Sequence, residues 1–285
     1  MSNVEATDME SLPEILTAFE QALELERELG TRAVDCDRAL LAPVSLKRQD
    51  GRDLKDPKDP KDLKDPKDPK DPKDLKDPRD LKDLKGESRA MPTTEELAAC
   101  TKCTLATLGR QHVVPGQGNA AAPDFMFIGE APGADEDRQG LAFVGAAGQF
   151  LTKMIAAMGY TREQVFIANI CKCRPPNNRT PSPPEMAACV PYLKRQIKLI
   201  RPKCLVLLGN TAMRGLFPDT LMRRGQWQMY EGIPAIGTFH PAYILRFDSA
   251  RDPAGLRRAK LEVWNTLKLA LARLGKTPPA IQKKG

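Results

Sequence analysis

Four short apolar runs limit, more than any other feature, what this chain can fold into. They cover residues 125–128, 165–169, 205–208 and 235–239. Each has strand length, and segments with apolar residues at helical spacing separate them. After the first run that segment carries Phe150, Leu151, Met154, Ile155 and Met158 and stops at Gly159. A second starts near Ser182, where Ser182 and Glu185 fit a capping box and Pro183 takes the first helical position. A third is short, near 211–216. A long last one follows Asp252 and Pro253, with Val263, Leu267, Ala270, Leu271 and Leu274 on one face and Gly275 at its end. Strands that alternate with helices form a parallel sheet covered on both faces. The expected fold class is α/β: a three-layer α/β/α sandwich with a central four-stranded parallel sheet. In such sheets the site lies outside the carboxyl ends of the strands, so the loops that follow the strands are where chemistry is expected.

The rest of the chain is built differently. Residues 10–30 read as an amphipathic helix with Leu12, Ile15, Leu16, Phe19 and Leu23 on one side, inside an N-terminal extension of residues 1–52. The sequence names no partner for it. Residues 53–85 repeat Asp-Leu/Pro-Lys/Arg eleven times. Proline at a period of three suits polyproline II, and nothing in the repeat can form a core. A semi-rigid, charge-balanced linker is expected over 53–90, then a globular domain over 91–276 and a tail over 277–285. No run approaches the ~20 apolar residues of a membrane span, and the acidic start lacks the apolar stretch of a signal peptide. A soluble, cytoplasmic, monomeric protein with no membrane partner is the expectation.

Charge is placed unevenly. Residues 1–52 hold 6 basic and 11 acidic side chains, whereas residues 86–285 hold 27 and 15. A basic excess on the globular part suits a polyanion such as DNA or RNA. A solvated basic surface is the plainer alternative.

The chain has seven cysteines, an odd number that points to metal or free thiols rather than a disulfide framework. Cys100 and Cys103 form a CxxC before the first strand. Cys173 follows the second strand, and Cys189 lies in the capped helix. Four thiolates suit a structural zinc or an iron–sulfur cluster. Cys171 is a rival ligand, Cys204 opens an apolar run and reads as core, and Cys36 belongs to the N-terminal extension.

Three polar residues close separate strands and so meet at one sheet end: Glu130, Asn169 and His240. Taken alone, His240 reads equally as an ordinary buried histidine, and its company raises the functional reading. The loop after the first strand, Gly129 to Gly133, is rich in glycine. It lacks the Lys-Ser/Thr of a phosphate-binding loop and carries the acids Asp135, Glu136 and Asp137. A planar amide such as that of Asn169 pairs with a pyrimidine that offers O4 and N3–H together, and it rejects cytosine. Phe143 suits stacking on an extruded base, and a histidine donates to a developing anion on a leaving base. Tyr243, Ile244 and Leu245, beside Arg246, form an apolar stretch suited to wedging into a base stack.

The run Gly129-Glu130-Ala131-Pro132-Gly133, with Glu136-Asp137 and Phe143-Val144-Gly145, closely resembles the first motif of the family 4 uracil-DNA glycosylases. Asn169 with Lys172-Cys173-Arg174-Pro175-Pro176-Asn177-Asn178-Arg179 does so too, as does His240-Pro241-Ala242 with Leu245-Arg246 for the second motif. The four-cysteine pattern matches as well, and the resemblance covers about residues 95–275. It implies a 4Fe–4S cluster on Cys100, Cys103, Cys173 and Cys189 that holds the DNA-binding loops. It implies Phe143 stacking on uracil, Asn169 reading its edge, and His240 contacting O2, with Gly129 and Ala131 lining the base site. Glu130 is the first candidate to position water or stabilise the sugar cation, and Glu136 the second. The implied activity is hydrolysis of the deoxyuridine N-glycosidic bond in single- or double-stranded uracil-containing DNA, without strand cleavage. The loop from Arg174 to Pro181 has no His and no insertion, which implies turnover rather than covalent trapping. Two readings compete: a non-catalytic nucleic-acid-binding module with a structural four-cysteine metal site, and an enzyme on a small phosphorylated substrate.

Overall fold

The computed structural model describes residues 90–249 and 252–279. The amphipathic segment 10–30, the triplet repeat and Cys36 lie outside them. In chain order the elements are α1 (Thr94–Ala98), β1 (Gln117–Gly118), β2 (Phe125–Gly129), α2 (Ala134–Gln139), α3 (Ala146–Ala157), β3 (Phe166–Asn169), α4 (Pro183–Ile200), β4 (Cys204–Leu208), α5 (Gly209–Leu216), β5 (Trp227–Tyr230), β6 (Ile233–Thr238), α6 (Pro241–Ser249) and α7 (Pro253–Arg273). No helix among them is long and apolar enough to cross a membrane.

The four expected strands form the middle of the sheet, in the parallel order β3-β2-β4-β6. Two further strands, β1 and β5, extend it antiparallel at the edges, giving six in all. Both escaped the sequence pattern for a physical reason. β1 is two residues long, and β5 buries only Tyr230, so neither presents an apolar run. Short, half-polar edges also resist pairing with a second chain.

The central strands are apolar on both faces because both are covered. Met126, Ile128, Leu205 and Leu207 pack with Leu193 and Ile197 of α4 and Met213 and Leu216 of α5. Phe125, Phe127, Val206 and Leu208 pack with Leu151 and Ile155 of α3, Ile244 of α6, and Val263, Leu267 and Leu271 of α7. The helix starts carry their own acceptors. Ser182 N–H donates to Glu185 Oε2 at 2.7 Å, and Gly255 N–H donates to Asp252 Oδ1 at 2.9 Å.

At the amino end of the sheet, just before β2, Asp124 gathers three partners. Lys203 Nζ lies 2.9 Å from Oδ1, Tyr160 Oη donates to Oδ2 at 2.8 Å, and Lys276 Nζ closes on the same oxygen. These contacts tie the end of the C-terminal helix and the turn after α3 to the sheet. They also hold the Asp124 carboxyl well below the usual carboxylate range, against the opposing effect of burial.

Candidate active site

A crevice of about 940 Å³ opens at the carboxyl ends of the parallel strands. Glu130, Asn169 and His240, which close β2, β3 and β6, all line it. The sheet register places Gly129 beside Asn169, and the strand alternation turns both toward the α3 face. Phe143 completes a slot there. A Cβ at Gly129 would lie 2.4 Å from Phe143 Cζ and 2.5 Å from Asn169 Oδ1. The missing side chain is therefore what keeps room between the ring and the amide.

Phe143 stands in the left-handed region, with φ of 53°. For a bulky residue that costs on the order of 1–3 kcal/mol unless its surroundings impose it. Here they do. The Ala142 carbonyl before it accepts from Arg162 Nη2 at 2.8 Å and Gln117 Nε2 at 3.3 Å. The amides after it, Val144 and Gly145, both donate to Glu136 Oε1 at 2.9 Å. Gly148 allows the loop to lie on α3, since a Cβ there would meet Phe143 O at 1.9 Å.

This geometry alters the expectation for Glu136. Its other oxygen accepts from Gly133 N–H at 3.0 Å, so both oxygens are engaged with backbone amides that shape the loop. Held this way, the Glu136 carboxylate shapes the loop that carries Phe143, and it also lines the crevice. Glu130 keeps its place in the crevice wall. Asp137 is likewise structural, accepting from the Gln111 and His112 amides.

Asn169 is 2% exposed, and its Oδ1 has no hydrogen-bond partner among the described residues. Such orphaned buried acceptors are rare in folded proteins. His240 lies across the slot, its ring centroid 5.8 Å from that of Phe143. The Ala242 N–H donates to His240 Nδ1 at 3.1 Å. That bond fixes the neutral tautomer with its proton on Nε2. Burial, helped by the Arg246 guanidinium, pulls the His240 pKa down to about 4, so the ring is neutral at pH 7.

The segment expected to wedge into DNA is helical, as the start of α6. Ile244 is 1% exposed and belongs to the core, because one turn of helix rotates it inward. Ile244 is therefore turned into the core and is not among the residues that line the crevice. Tyr243 is exposed and lines the crevice with Arg246, and Leu245 is half-buried. Asn210, Thr211, Arg214 and Arg224 also line the crevice and were missed from sequence. A signal existed for the first two: they follow β4, and the strand-end rule applied to that strand points to them. Phe239 lines it too, stacked on Tyr243 at 4.7 Å with Arg224 over its other face at 4.0 Å from the centroid.

Behind the crevice, Cys100, Cys103, Cys173 and Cys189 line one small cavity. Arg110 Nη1 donates to Cys173 Sγ at 2.9 Å, and the Lys172 amide donates to Cys189 Sγ at 3.2 Å. Such donors suit sulfurs that carry negative charge on a metal. Four cysteine sulfurs around one cavity are a donor set that suits a structural metal ion or an iron–sulfur cluster. Cys171 is fully buried and is not part of the cavity wall. Hydrogen bonding to Cys189 and burial push its thiol up, while the same bond and the nearby Lys172 draw the Cys189 thiol down. Glu185 ties this region to the crevice, accepting from Arg179 at 2.7 and 2.8 Å and from Thr104 Oγ1 at 2.7 Å.

A three-layer α/β fold with a polar crevice at the carboxyl ends of its parallel strands is the class of protein these features define. The sequence profile of the Uracil DNA glycosylase superfamily matches residues 115–268. The chain is 44% identical over 168 residues to the type-4 uracil-DNA glycosylase of Archaeoglobus fulgidus, covering 55% of this chain and 83% of that protein. It is 44% identical over 175 residues to the type-4 enzyme of Thermotoga maritima, covering 59% and 88%. It is 52% identical over 163 residues to that of Sulfurisphaera tokodaii, covering 53% and 73%. The chain belongs to the type-4 uracil-DNA glycosylases of this superfamily.

Proposed function

We propose that this protein removes uracil from DNA by hydrolysing the N-glycosidic bond of deoxyuridine, leaving an abasic site. The observation that carries the reading is the buried, partnerless Asn169 Oδ1 facing a slot walled by Phe143 and His240. That oxygen calls for an N–H donor, which uracil N3–H supplies, while the amide nitrogen donates to O4. Cytosine presents an acceptor at N3 and a donor at C4, so two like groups would face each other at each position. Rejection on that basis is strong because buried polar groups are left unsatisfied.

The base reaches the slot by extrusion from the stack, with Phe143 stacking on it. Arg214 and Arg246 line the crevice and suit phosphate contacts, whereas Arg179 is paired with Glu185 and Arg224 with Glu262. As the glycosidic bond breaks, electrons flow to uracil and O2 gains negative charge. His240 Nε2–H donates to O2, and a neutral imidazole held by Ala242 needs no reorganisation to do so. Glu130 faces the sugar side, where it positions water and stabilises the oxocarbenium character. No lysine is among the described residues that line the crevice, and strand scission without alkali is not expected. Cys100, Cys103, Cys173 and Cys189 are the residues that would hold a 4Fe–4S cluster, which would tie together the segment before β1, the loop after β3 and helix α4.

The test is an oligonucleotide with a single deoxyuridine, incubated with full-length protein and then treated with alkali. Strand scission only after alkali is the expected outcome, together with broad visible absorbance of the protein. Asn169→Ala and His240→Ala are each expected to slow release about 10²–10³-fold, the usual loss on removing such a group, with folding unchanged by circular dichroism. A protein that binds DNA in a salt-sensitive way but releases no uracil would return the reading to a binding module.

A further inference from the structure

Lys172 is 1% exposed, yet it carries an ammonium group. A buried ammonium is tolerated only when its protons are accepted, and here two acceptors are supplied. Nζ donates to the backbone carbonyl of Asn169 at 2.9 Å and to Gln196 Oε1 at 2.7 Å. Gln196 in turn donates to the Pro115 carbonyl at 2.7 Å. The Lys172 main chain is fastened as well, its amide to Cys189 Sγ at 3.2 Å and its carbonyl to Val114 N–H at 2.8 Å. Gln196 and Cys189 lie two turns apart on α4. One side chain therefore connects the end of β3, where the orphaned acceptor sits, to the helix that carries a cavity-lining thiol.

We infer that Lys172 is a positioning residue for base recognition: by holding the Asn169 carbonyl against α4, it fixes the direction of the Asn169 amide in the slot. The inference rests on the uracil-excision reading and goes beyond it, because Lys172 touches no substrate. An apolar side chain of the same length would fill the same space without tying the strand end. A polar tether is what sharpens one orientation of an amide that has no other partner at Oδ1. The four-cysteine site acquires a second consequence: any shift of α4 is passed through Gln196 and Lys172 to the residue that reads the base.

The experiment uses the full-length protein with its cysteine site loaded, as checked by visible absorbance. Binding of free uracil is measured for the wild type, Lys172→Met, Asn169→Ala and the double variant. Lys172→Met is expected to weaken uracil binding on the order of tenfold, the worth of about one hydrogen bond. In the Asn169→Ala background it is expected to add nothing. Losses that simply multiply in the double variant overturn the proposal. The second readout is hydrogen exchange of the Ile170 amide, which donates to Gly129 O at 2.9 Å. Faster exchange in Lys172→Met is expected, and an unchanged rate overturns the proposal. This readout needs no uracil, so a wild type that binds no uracil sinks the excision reading alone. Should Lys172→Met fail to fold, Gln196→Met removes one of the two acceptors. It is expected to shift both readouts the same way by less, and no shift counts against the proposal.

Discussion

The two ends of the sheet treat polar groups in opposite ways. At the amino end, Asp124 is surrounded by Lys203, Lys276 and Tyr160, and both of its oxygens have partners. At the carboxyl end, Asn169 Oδ1 is buried without a partner, Phe143 is held in a costly backbone conformation, and His240 is kept neutral. A satisfied network contributes stability, whereas an orphaned acceptor costs stability until a ligand arrives. The same fold thus separates the groups that hold it together from those reserved for substrate. Glu136 sits at the functional end and lines the crevice, and both of its oxygens also accept from backbone amides that shape the loop.

The largest expected break in that contrast comes from Gly129→Ala. The new Cβ has no room between Phe143 Cζ and Asn169 Oδ1, so the ring or the amide must move. A displacement of roughly 1 Å in a reacting geometry costs about 10²-fold. Uracil release should fall by about that factor, in a protein whose circular dichroism is unchanged. Asp124→Asn sharpens the contrast from the other end. Losing a carboxylate that serves three donors should cost about 2 kcal/mol, seen as roughly 4–8 °C in thermal midpoint for a domain of this size. Uracil release at 25 °C should stay at the wild-type rate. A large loss of activity in Asp124→Asn would mean that the two ends are coupled.

A third effect is in the pH dependence of stability. The folded His240 pKa of about 4 lies below the unfolded value of about 6.5. Between these values the unfolded chain binds a proton that the native protein does not, so stability rises with pH across that window and is lost as pH falls through it. His240→Ala should flatten the slope there, as read by denaturant midpoints at a series of pH values. The Asp124 contribution has a different window. Its folded pKa is depressed, so that contribution is present above the unfolded value of about 3.9 and is lost as pH falls below it. A profile that stays steep between pH 4 and 6.5 in His240→Ala would assign the slope to other groups.

The central sheet was legible because its strands are apolar on both faces, and buried runs such as residues 205–208 leave little choice. Helix starts were legible from Ser182 and Asp252, whose caps form as the spacing implies. The edge strands were not, since Gln117–Gly118 carries no apolar signal at all. The meeting of Glu130, Asn169 and His240 followed from strand-end logic and holds in space. Side-chain duty was harder to read. Glu136 reads as a candidate acid in sequence, and only the positions of the Gly133, Val144 and Gly145 amides reveal that it also shapes the loop. Ile244 resembles a wedge until one turn of helix turns it into the core. Lys172 gave no signal, because a lysine in a polar motif reads as exposed.

The bare Cα at Gly129 bears on how such a chain can change over generations. Every one-base change in a glycine codon that alters the residue either stops translation or installs a side chain with a Cβ. No neighbouring sequence therefore offers a gradual route at this position, and a lineage cannot drift there toward a roomier or tighter slot. Any change in which base is accepted must begin elsewhere, in the loop that carries Phe143 or at the strand end that carries Asn169.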